Sequence, residues 1–62
     1  MTGTVVEFEI DTGLGVVVTD HDRYVFHCIE IADGSRDIAI GARVSFERLA
    51  KLGRYEAANI RS

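Results

Sequence analysis

With 62 residues, 47% of them apolar, and a net charge of −3, the chain suffices for one small packed domain but not for a deep substrate pocket. No apolar run nears the roughly 18 residues of a membrane-spanning helix, Met1-Thr2-Gly3-Thr4 has no basic residue of a secretory leader, and the single Cys28 permits no intramolecular disulfide, so a cytoplasmic setting away from membranes is expected. The charge is unevenly spread, −5 over residues 1–31 and +2 over 32–62, so any surface for phosphates has to come from the second half.

Taken in chain order, the segments read as strands. Val5–Ile10 alternates apolar and acidic residues from Val6 onward, and Asp11-Thr12-Gly13 has turn chemistry. Leu14–Thr19 is short and β-branched, and Asp20–Arg23 is a polar hairpin loop. Tyr24–Cys28 is a third strand rich in aromatic and β-branched residues. The pattern breaks from Ile29 to Gly41, with room for a helical turn at Ile29–Ile31 and a turn at Asp33-Gly34-Ser35. Arg43–Arg48 alternates again as strand four. Leu49–Gly53 reads as a loop or a helical turn over Leu49–Leu52, and Tyr55–Ile60 as strand five. Five short strands with no long helix predict an all-β sandwich or barrel. At this size a closed barrel is favoured, because closure removes exposed edges. The absence of proline fits strands that all need their N–H groups.

The ordered set of motifs resembles the cold-shock domain family. Gly3–Phe8 followed by Gly13-Leu14-Gly15-Val16-Val17 is similar to the family's G-x-V-K-W-F and K-G-F-G-F-I. Tyr24–Cys28 is similar to V-F-V-H-F, Ile38–Phe46 to L-x-x-G-x-x-V-x-F, and Glu56–Ile60 to Q-A-A-N-V. The resemblance spans nearly the whole chain. It implies a five-stranded antiparallel OB-fold barrel, one domain over residues 1–62, that binds single-stranded RNA or DNA by stacking bases on surface aromatics beside lysines.

The departures bear on that function. The family's exposed Trp is Glu7 here, and the lysine before it is Val6. The two Phe of the first motif are Leu14 and Val16, and the outward Phe positions of the second are Val25 and Cys28. Base–aromatic stacking is worth about 1–3 kcal/mol per base, so weakened affinity is expected. Phe8 and His27 are the stacking-capable residues left at motif positions. Phe8 is either a platform or a core residue, since Val6, Phe8 and Ile10 share one parity. If Val25 and His27 face the platform, Tyr24 and Phe26 face the core. The candidate nucleic-acid contacts are therefore Phe8, Leu14, Val16, Val25 and His27. Arg48, Lys51 and Arg54 flank the fourth-to-fifth strand loop, and with Arg36 and Arg43 they are candidates for phosphates or simply a charged surface.

Other residues read as structural. Gly13-Leu14-Gly15 is too short for a phosphate loop. Cys28 beside His27 has no second cysteine for a metal and no frame for nucleophilic catalysis. Asp20-His21-Asp22 sits in one tight turn, and Glu7, Glu9 and Asp11 read as a soluble strand face. No enzyme activity, metal or cofactor is expected. The alternative to nucleic acid is a protein partner, or self-association, through an aliphatic patch of Leu14, Val16, Val18, Val25 and Cys28 bordered by Glu7.

Overall fold

The computed structural model describes residues 1–32, 34, 38–51 and 53–61. Strands β1 (Thr2–Glu9), β2 (Leu14–Val18) and β3 (Arg23–His27) form an antiparallel meander. Gly13 turns the chain between the first two at a φ of 73°, and its N–H donates to the Glu9 carbonyl at 2.8 Å. Thr19 holds the next turn: its hydroxyl oxygen accepts from the N–H groups of His21 and Asp22. A single 3-10 turn covers Cys28–Glu30, one residue ahead of the expected helical turn. Strands β4 (Arg43–Lys51) and β5 (Arg54–Arg61) then form a second hairpin.

The five strands close into a barrel in the order β1-β2-β3-β5-β4, with β4 returning to pair with β1. All pairs are antiparallel except β3 with β5, which run parallel through Val25 and Glu56. This corrects the expectation of an antiparallel barrel, and the reason is topological. Five strands in a ring cannot alternate direction all the way round, so one pair must be parallel.

Element bounds also shift. β1 starts at Thr2 rather than Val5, because Thr2, Gly3 and Thr4 pair with Ser45, Val44 and Arg43. β4 continues to Lys51 and β5 begins at Arg54, so most of the expected Leu49–Gly53 loop is paired hairpin. Asp33, Ser35, Arg36 and Leu52, named in those expectations, lie outside the described residues.

The core holds Val5, Val17, Tyr24, Phe26, Val44, Phe46, Ala57 and Ile60 inside the ring, with Ile31 at its edge. Tyr24 and Phe26 face inward as alternation predicts. The Tyr24 and Phe46 rings pack tilted at 5.4 Å, an arrangement aromatic quadrupoles favour. Two register irregularities tune which residues reach this core. In β1, Val5 pairs with Val17 but Glu7 with Val16, so Val6 is an extra residue. In β5, Arg61 pairs with Ser45 but Ala58 with Glu47, and Asn59 takes a left-handed φ of 52° in between. Each bulge lets two residues three apart, Val5 and Phe8 or Ala57 and Ile60, turn to the same side.

Candidate nucleic-acid interface

Pairing across the meander sets the outer face in rows. One row runs Glu7, Val16, Val25 and on to Glu56, and the next runs Glu9, Leu14 and His27. Because the pleat alternates, Gly15, Val17, Tyr24 and Phe26 point the other way. Leu14 is 55% exposed and Val25 40%. His27 is exposed beside Leu14. Its Nδ1 accepts from the Ile29 N–H at 3.3 Å, which caps the 3-10 turn and places the neutral ring's proton on Nε2. A shallow groove of about 330 Å³ runs across this face, with Leu14, Val16 and Val25 as its apolar lining and Glu7, Glu9 and Arg54 as its charged lining.

Two expected platform residues are placed differently. Phe8 does not share the face of Leu14 and His27. The bulge at Val6 turns it inward, where its ring stacks on Phe26 at 6.0 Å and 8° across Gly15. It is half-buried against the core. Val16 points outward but is only 9% exposed, because it stands in the central strand between Glu7 and Val25 and they cover its flanks. It forms the floor of the groove and offers a base little surface. The aliphatic patch shrinks accordingly, since Val18 and Cys28 are half-buried and only Leu14 and Val25 present substantial apolar area.

The expected phosphate contacts are already engaged. Arg54 lies 3.2 Å and Lys51 3.8 Å from the carboxylate of Glu56, which is itself largely covered. Arg23 pairs with Glu7 at 3.3 Å, both well exposed. These pairs are weak enough to exchange for another anion, since surface ion pairs are worth up to about 1 kcal/mol. Arg48 sits with its guanidinium carbon 4.2 Å from the centre of the Tyr55 ring. Arg43 pairs with Thr4 at the β1–β4 seam and lies outside the groove.

Tyr55 is the residue that sequence reading missed. It is 50% exposed and stands beside Arg54 and under Arg48. The signal was present in the run Arg48 to Tyr55, where an aromatic follows three basic residues spaced along a hairpin. Among the described residues, no three His, Cys, Asp or Glu side chains gather as metal ligands, and no helix is long and apolar enough to cross a membrane. No protein-family model and no curated protein matches the chain.

Proposed function

We propose that this chain is an OB-type barrel that holds single-stranded RNA or DNA on the outer face of β2 and β3, with modest affinity. The observation that carries the reading is one groove in which exposed Leu14 and Val25 lead to Arg54, with exposed His27 paired beside Leu14. Apolar and imidazole surfaces accept the flat faces of unpaired bases without regard to sequence, and Arg54 supplies charge for the backbone. The return of β4 to β1 in a five-stranded closed barrel supports the OB-type assignment. Affinity is modest because Glu7 and Glu9 line the same groove and the strip holds no aromatic other than His27. The test is an NMR titration of the labelled protein with a short pyrimidine-rich single strand at low and moderate salt. Shifts concentrated on Leu14, Val25 and His27, diminished by salt, are expected. No shift at millimolar oligonucleotide overturns the reading.

One observation favours a second reading. Glu7, Glu9 and Glu56 surround exposed Leu14 and Val25, a pattern suited to an apolar protein patch with a basic rim. Self-association through this face is the version in which these carboxylates of two copies face one another, so it should be weak and strengthened by salt. It is checked by sedimentation of the protein and of Val25→Glu across a concentration series.

A further inference from the structure

A second groove, of about 370 Å³, opens where the starts of β3 and β5 lie side by side, and Arg23, Val25, Arg48, Arg54, Tyr55 and Asp22 line it. It shares Val25 and Arg54 with the groove on the outer face, so the two adjoin. Its chemistry differs from the strip. It brings one exposed aromatic ring together with three arginines and one acid.

We propose that Tyr55, steadied by Arg48, is a base-stacking subsite where the single strand leaves the β2–β3 face. This subsite rests on the single-strand reading and adds to it an exposed phenol ring in a cationic setting. Arg48 over the ring restricts the rotation of Tyr55 and leaves half the residue open to solvent, so a base adds one more layer to a guanidinium–aromatic stack. Arg54 and Arg23 line the same groove as the stack and Val25, in position to trade Glu56 and Glu7 for phosphates. A protein ligand would have less use for this arrangement. Its three arginines within one small groove ask for a dense anion, and a nucleotide carries both that anion and the flat ring.

The chain has no tryptophan and two tyrosines, of which Tyr24 is buried, so Tyr55 can be followed directly. The experiment compares a thymidine single strand with an abasic strand of the same length, by the NMR signals of the Tyr55 ring. It then measures affinity for the native chain, Tyr55→Phe and Tyr55→Thr, the last keeping β propensity at an exposed site. Upfield movement of the Tyr55 ring signals with the thymidine strand only is expected. Tyr55→Thr should bind about fivefold to a hundredfold more weakly, and Tyr55→Phe within about twofold of native. An unmoved Tyr55 ring while Leu14, Val25 and His27 shift overturns the subsite and leaves the face reading standing. Equal movement with the abasic strand, or native affinity in Tyr55→Thr, overturns it as well. No shift anywhere removes the subsite and the face reading together.

Discussion

Gly15 and Phe26 are paired across β2 and β3, and the Phe26 ring occupies the space a side chain at Gly15 would need. A Cβ there would run into Phe26 Cζ and lie 2.9 Å from the Glu7 carbonyl oxygen. The missing side chain is what lets Phe8 and Phe26 meet from either side of the central strand.

Gly15→Ala should therefore destabilise the barrel by about 1–3 kcal/mol through overpacking, since a rigid, buried ring and a backbone oxygen cannot both give way. A urea melt measures it. Combining it with Phe26→Leu should recover part of the loss, and a cycle in which the two changes simply add would contradict the contact.

Phe26→Ala alone should cost about 3–5 kcal/mol, comparable to the whole stability of a domain this small. The expected outcome is a collapsed amide dispersion in the proton–nitrogen spectrum at room temperature. A well-dispersed spectrum would show that the Phe8–Phe26 pair is not central to the core.

Phe8→Leu separates stability from binding. It should lower the urea midpoint by removing an aromatic pair worth about 0.5–1.5 kcal/mol. It should leave the oligonucleotide affinity of the folded protein unchanged, because Phe8 faces inward. A large drop in affinity would place Phe8 on the platform after all.

Glu7→Lys reverses a carboxylate in the groove and releases Arg23. Oligonucleotide binding should tighten several-fold, with a salt dependence steeper by about 0.7 for each further phosphate that the new lysine or the freed arginine neutralises. Thermal stability should change by less than about 1 kcal/mol, as expected of an exposed pair. Val25→Phe tests the same face by another route: an aromatic ring at this exposed position should tighten binding about fivefold or more. Tighter binding from neither change would argue against the strip as the contact surface.

Much of this was legible from pattern alone. The β-branched alternation located all five strands, and period two set Tyr24 and Phe26 on the face opposite Val25 and His27, with the inward side then following from taking Val25 and His27 as the platform. Phe8 was open to two readings because alternation carries parity only until a bulge, and Val6 adds one residue without any mark in composition. Val16 pointed outward as expected, yet its burial depends on how closely Glu7 and Val25 flank it, which pairing register decides. The partners of Arg48 and Arg54 were hidden for a similar reason. Glu56 and Tyr55 come close to them only once the β4–β5 hairpin extends past the length that the alternation suggested.

The parallel pairing of Val25 with Glu56 gives the molecule an uneven assembly. The β1–β2–β3 meander and the β4–β5 hairpin are each built from neighbours in sequence, and two seams join them: β1 with β4, paired at three positions 39 to 43 residues apart, and this one, whose described pairing is one position 31 residues apart plus the bridge between Ile31 and Ile60. Loop-closure entropy therefore falls on both seams late in folding, and the amide protons of the thinner β3–β5 seam should exchange among the first when the barrel breathes. Both grooves straddle that line, with Val25 on one piece and Arg54 on the other. Anything bound there would act as a clasp across two separately formed halves, so occupancy of the grooves and resistance to opening are thermodynamically linked.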